Sequence, residues 1–108
     1  MRRRNKYGAV RTTVEGITFA SKHEARRYVQ LRHLERAGII QDLRCQARYA
    51  FVVNGLEVGS YRPDFEYVIC ETGEVITEDA KAGPTRTEAY RLRKKLMVAC
   101  HAIVVTEV

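Results

Sequence analysis

Two short acidic stretches and one lysine carry the chemistry this chain could do: Pro63-Asp64, then Glu78-Asp79-Ala80-Lys81. Asp64 and Asp79 supply hard oxygen ligands of the kind Mg²⁺ prefers. Lys81 supplies a cation for a phosphate or for an attacking water. Such a set can hold a divalent metal and steer water at a phosphodiester, because the ion polarises the phosphoryl oxygen, acidifies bound water and steadies the leaving oxygen. Glu24 is a third acid, in the first turn of an expected helix. It can reach the metal directly or through a water, or it can simply complete a capping box with Ser21. Gln46 either orients a water or phosphate or closes a strand end by hydrogen bonding. Glu66 and Glu78 read as solvated strand residues, Glu78 facing away from Asp79 and Glu66 sharing the face of Asp64.

These residues need elements to hold them. Val14-Glu15-Gly16-Ile17-Thr18-Phe19 reads as a short extended pair around a glycine turn. Ser21-Lys22-His23-Glu24 has the spelling of a capping box, and Ala25, Tyr28, Leu31 and Leu34 make one apolar stripe behind it. Gly38 stops that helix. The segment Asp42 to Val53 predicts a strand, Asn54-Gly55 a hairpin turn, and Tyr61 to Ile69 the return strand. Pro63 inside that return argues for an edge, a bulge or a break. Glu71-Thr72-Gly73-Glu74 is the next turn, and Val75 to Ala80 the third strand. If that turn centres near residues 71 and 72, Asp64 comes opposite Asp79, with Cβ atoms roughly 5 Å apart. Two like charges so placed repel, and a divalent cation relieves the repulsion. Alternation sets Lys81 on the face of Asp79.

A second helix is expected from Thr85-Arg86-Thr87-Glu88, with Ala89, Leu92, Leu96 and Ala99 as its buried stripe and Arg91, Lys94 and Lys95 on its exposed side. Ile103-Val104-Val105 reads as a final buried strand. The order is helix, three strands, helix, strand. A meander followed by a helical crossover predicts an α/β fold with a mixed four-stranded sheet, its last strand parallel.

The chain has 108 residues, enough for one compact domain with its own core but not for two such domains. Residues 1–11 form a basic arm, and 12–108 a single domain. Hydrophobic residues at 45% and charged residues at 30% exclude a disordered or membrane composition. No apolar run approaches the roughly 20 residues of a membrane span. Met1-Arg2-Arg3-Arg4 is not followed by an apolar stretch, so no secretory signal is expected and the cytoplasm is the expected compartment. Cys45, Cys70 and Cys100 form no CxxC, and His23, His33 and His101 are scattered, so their spacing does not suit zinc. The net charge of +6 and the excess of arginine over lysine favour a polyanion, nucleic acid above all. Arg2, Arg3, Arg4, Lys6, Arg86, Arg91, Lys94 and Lys95 are the candidate phosphate contacts, which position a duplex but read no sequence.

Lys6-Tyr7, Val14 to Phe19, Ser21 to Tyr28, Tyr61-Arg62-Pro63-Asp64-Phe65, Glu78 to Lys81 and Tyr90 to Leu96 together resemble a small phage and prophage family. That family is usually catalogued as a domain of unknown function and assigned to the PD-(D/E)XK nuclease superfamily, with Holliday-junction resolvases and restriction endonucleases. The resemblance implies an αβββαβ restriction-endonuclease-like core and cleavage of DNA with Mg²⁺ or Mn²⁺. It implies Asp64, Asp79 and Glu24 as metal ligands and Lys81 as the catalytic lysine. A homodimer acting on branched or structured DNA, needing no small-molecule cofactor, is the expectation that follows. Ala82 departs from the pattern, which has glycine directly after the lysine. The alternatives are a non-catalytic DNA-binding module, or a nuclease subunit of a larger phage recombination or restriction complex.

Overall fold

Turn chemistry sets the outline of the chain. A computed structural model describes residues 10–80 and 87–108. Glu15 and Gly16 both have positive φ, as a two-residue primed turn requires, and join β1 (Thr12–Val14) to β2 (Ile17–Phe19). Ser21 then caps α1 (Lys22–Arg36), its hydroxyl accepting the Glu24 N–H. The helix ends as a Schellman motif: Ile39 N–H bonds Leu34 O, Gly38 N–H bonds Glu35 O, and Gly38 has φ +75°. The predicted stripe holds, with Ala25, Tyr28 and Leu31 buried and Leu34 half-buried.

The predicted strand 42–53 is two strands in two sheets. β3 (Ile40–Cys45) ends at Gln46, whose φ of +55° turns the chain away. β4 (Tyr49–Val53) and β5 (Leu56–Tyr61) form a separate ribbon around Asn54-Gly55. The return strand likewise breaks at Arg62-Pro63-Asp64, and the sheet resumes with β6 (Phe65–Ile69). Proline lacks the N–H to continue a ladder, so the break falls where expected. β7 (Val75–Asp79) follows the turn, in which Gly73 has φ +75°.

Thr87 caps α2 (Glu88–His101) by accepting the Tyr90 N–H; residues 85 and 86, where the start was expected, lie outside the described residues. Ala102 closes the helix in the left-handed region at φ +56°. The last strand begins later than predicted, as β8 (Thr106–Glu107). Residues 103–105 instead leave the left-handed cap as a connector: Val105 tucks into the core while Val104 stays exposed.

The main sheet is four-stranded and mixed, in the order β3-β6-β7-β8, with only β7 and β8 parallel. With the two hairpins set aside, the chain order α1, β3, β6, β7, α2, β8 is the expected αβββαβ succession. One core, from Phe19, Ala25, Tyr28, Leu31, Ile40, Phe65 and Tyr67, lies between α1 and the sheet. A second, of Phe51, Met97 and Val105 with Tyr49, Tyr61 and Leu96 against it, joins the ribbon to α2. Each of the larger side chains so buried contributes about 2 kcal/mol.

The predicted stripe of α2 needs correction. Ala89, Leu92 and Ala99 are exposed and Leu96 is half-buried, while Tyr90 and Met97 are buried. The helix is rotated because Tyr90 turns toward carboxylates of the sheet edge and Met97 fills the ribbon core.

A candidate acidic site at the end of the sheet

The β6–β7 register is the one the turn predicts. Phe65 pairs with Glu78 and Glu66 with Thr77, so the next pair outward is Asp64 and Asp79. Beyond Pro63 the two aspartates interlock. Asp79 Oδ1 accepts the Asp64 N–H at 2.8 Å, and Asp64 Oδ2 accepts the Ala80 N–H at 2.9 Å. Each carboxylate thus fixes the backbone that carries the other, and Asp79 is only 2% exposed.

Glu24 reaches the same place from α1. Ser21 takes the Glu24 backbone N–H, but the Glu24 carboxyl turns inward, 6% exposed, against Asp64, Gln46 and the Ala20 backbone. Burial first, and the Asp64 charge second, push its carboxyl up to about 7. Among the described residues Glu24 Oε1 is buried without a hydrogen-bond partner. Gln46 is a strand end, its N–H donating to Asp64 O at 3.1 Å, and its side chain lies beside the Glu24 carboxyl. Cys45 lies alongside, and burial, then Glu24 and Asp64, raise its thiol pKa.

The family model described as "Protein of unknown function (DUF1064)" matches residues 4–105. The chain belongs to the DUF1064 family. No curated protein and no solved structure matches it.

In this DUF1064 chain the donor set suits a hard divalent cation: three carboxylates from α1, the β6 approach and β7, one with an unmatched buried oxygen. Among the described residues no group of three acidic, His or Cys side chains is set to hold an ion as it stands. The oxygens already on Asp64 and Ala80 amides account for part of that, since they are turned to the backbone. Lys81, Arg86, Arg2, Arg3, Arg4 and Lys6 lie outside the described residues.

Two acids expected to be solvated are buried. Glu78 is 1% exposed, gripped by Arg27 through Nε at 2.6 Å and Nη2 at 3.0 Å, and by the Tyr67 hydroxyl at 2.8 Å. It faces away from Asp79 as alternation demands, but that face packs against α1 rather than water. Glu66 accepts hydrogen bonds from the hydroxyls of Tyr49 and Thr77 and so ties the ribbon to the sheet. Both acids are structural.

The basic side chains of α2 divide. Arg91 and Lys95 are exposed, as expected. Lys94 is half-buried, its Nζ 3.5 Å from Glu107 and 5.7 Å from the centroid of the Tyr90 ring. Sequence reasoning missed Tyr90 and Glu107 as neighbours of Asp79. The parallel register sets Glu107 beside Asp79, and no local pattern in a two-residue strand announces it.

Proposed function

We propose that this chain is a metal-dependent endonuclease that hydrolyses DNA phosphodiester bonds, with a restriction-endonuclease-like core of the PD-(D/E)XK type. The observation that carries the reading is the interlock of Asp64 and Asp79 beside the buried Glu24. Buried acids are costly unless something of opposite charge compensates them. The αβββαβ order and the break at Pro63 support the same reading.

Asp64, Asp79 and Glu24 would hold Mg²⁺ or Mn²⁺. Once bound, the ion supplies Lewis acidity at the phosphoryl oxygen and a more acidic water. The Asp64 amide holds Asp79 and the Ala80 amide holds Asp64, which fixes where both carboxylates sit. Glu24 gives up its proton on binding, since its raised pKa keeps it partly protonated near neutrality. Gln46 holds Glu24 and the Asp64 backbone in register. Lys81 orients the attacking water or meets the charge on the pentavalent phosphate as the bond to the leaving oxygen breaks. Arg91, Lys95 and the basic segments at residues 2–6 and 86 grip the backbone.

The substrate in this reading is branched or otherwise structured DNA, and the acting form is a homodimer whose two-fold axis relates two sites. Exposed Leu92 on α2 and Val52, Leu56 and Val58 on the ribbon offer apolar surface for such association.

The test is to incubate the purified chain with linear, flapped and four-way DNA, in Mg²⁺, in Mn²⁺ and in EDTA. Cleavage should require the metal, and Asp79→Ala should lower it at least about 100-fold, as losing a group that stabilises the transition state does. Binding without cutting in either metal, or an Asp79→Ala variant as active as the parent, would show the reading wrong.

A further inference from the structure

Asp79 is held from one side by the Asp64 amide, and the C-terminal part of the chain supplies further neighbours among the described residues. β8 runs parallel to β7 with Glu107 in register with Asp79, and the Val108 N–H bonds Asp79 O at 2.9 Å. The Val108 carbonyl lies 3.1 Å from His23 Nε2, next to Glu24 on α1. Residues 106–108 therefore connect α1, β7 and α2 around the acidic cluster.

Two parallel neighbours in register point their side chains to the same face, so Asp79 and Glu107 repel unless a donor intervenes. Tyr90, 6% exposed on the first turns of α2, stands there. Its hydroxyl is 3.3 Å from Glu107 Oε2 and also faces the Asp79 carboxylate. A tyrosine hydroxyl has a single proton to donate. Lys94 stands against the other oxygen of Glu107, 3.5 Å from Oε1, and offsets its charge. The Tyr90 hydroxyl, donating to Glu107 Oε2, thus stands between the two acids and ties the Asp79 end of the sheet to α2.

We propose that Tyr90, backed by Glu107 and Lys94, is a positioning residue that orients the Asp79 carboxylate for the divalent cation. This deepens the proposed metal site and rests on that reading. Outer partners of this kind fix the orientation of a ligand, and removing one typically lowers metal affinity about 10- to 100-fold. It also makes α2, which carries the exposed Arg91 and Lys95, part of the metal site as well as of the DNA grip.

The test measures Mn²⁺ binding directly, by electron paramagnetic resonance of the free ion, without DNA and without reference to activity. Tyr90→Phe keeps the ring and removes only the hydroxyl. Its Mn²⁺ affinity should fall about tenfold while circular dichroism and the thermal midpoint remain those of a folded protein. Tyr61→Phe is the control, because that ring lies 6.4 Å from Tyr90 and its hydroxyl has no part in the arrangement; its affinity should equal the parent's. Cleavage by Tyr90→Phe should recover at raised Mn²⁺, which a purely structural loss does not do. Should Tyr90→Phe fail to fold, Glu107→Gln carries the test, and it should weaken Mn²⁺ in the same direction. Parent-like affinity in the folded Tyr90→Phe, or in Glu107→Gln where that variant decides, overturns the proposal and leaves the metal site standing. A parent protein that binds no Mn²⁺ overturns both.

Discussion

Glu24 illustrates how one side chain can be held in a costly state. Its carboxyl, ordinarily near 4.5, is pushed up to about 7, by burial first and by Asp64 next. The raised value means the folded state holds the proton that the unfolded chain releases. Metal-free stability should therefore fall as pH rises from about 4.5 to about 7 and level off above that window. Thermal midpoints across pH 5 to 8 check this, and Glu24→Gln should flatten the slope. A divalent cation that binds the ionised form should raise the midpoint more at the upper end of the window than at the lower. The Arg27–Glu78 pair makes the opposite case. It was unforeseen because a charged residue on a strand reads as solvated until its partner helix is known. Arg27→Met leaves Glu78, 1% exposed, without its counter-ion. We expect a loss of about 3 kcal/mol in chemical denaturation, the lower end for breaking a buried pair because Arg27 is itself partly exposed.

At the scale of elements, the hairpins and α1 follow from local chemistry, and the site depends on where they end. Pro63 stops β5 from running into β6, and Gln46 in the left-handed region stops β3, so Asp64 and Gln46 meet just past the sheet. The ribbon is separable from this. Gly55 has φ +79°, which an L side chain adopts only with strain, whatever space surrounds it. Gly55→Ala should cost about 1 kcal/mol of stability and leave Mn²⁺ affinity unchanged, since the interlock of the two aspartates is made with the Asp64 and Ala80 amides, neither of them on the ribbon. A drop in both would tie the ribbon to the site. The misread face of α2 belongs here too. Its sequence supports two stripes, Ala89-Leu92-Leu96-Ala99 and Tyr90-Lys94-Met97-His101, and helical periodicity alone does not choose between them. The second faces the fold because its members have partners: Tyr90 and Met97 are buried against the acids and the ribbon core, half-buried Lys94 meets Glu107, and exposed His101 meets the Ala50 carbonyl at 2.7 Å.

For the whole molecule, the net charge of +6 sits on a chain whose acids are largely internal or paired. Among the described residues no helix is long and apolar enough to cross a membrane. The proposed grip on DNA should weaken steeply with salt, by about tenfold or more between 50 and 200 mM, as phosphate contacts release counterions. Arg91→Ala and Lys95→Ala should each lower the slope of log affinity against log salt by about 1. Lys94→Ala should lower it less, because Glu107 already partners that lysine. Fluorescence anisotropy with a labelled four-way junction at graded salt measures all three.

The sequence by itself determined the hairpin turns, the cap and buried face of α1, and the pairing of Asp64 with Asp79, because each rests on residues near in the chain or on a turn that counts residues across it. It also supplied the αβββαβ order, although the strands expected at 42–53 and 61–69 are each divided between the ribbon and the main sheet and the last strand begins later than expected. The tertiary structure decided what depended on distant partners. Burial of Glu24, Glu66 and Glu78 needed α1, the ribbon and Arg27 in place. The face of α2 needed the ribbon, and the approach of Glu107 and Tyr90 to Asp79 needed β8 in parallel register. Short strands and single polar side chains carry almost no periodic signal, so their positions follow only from packing.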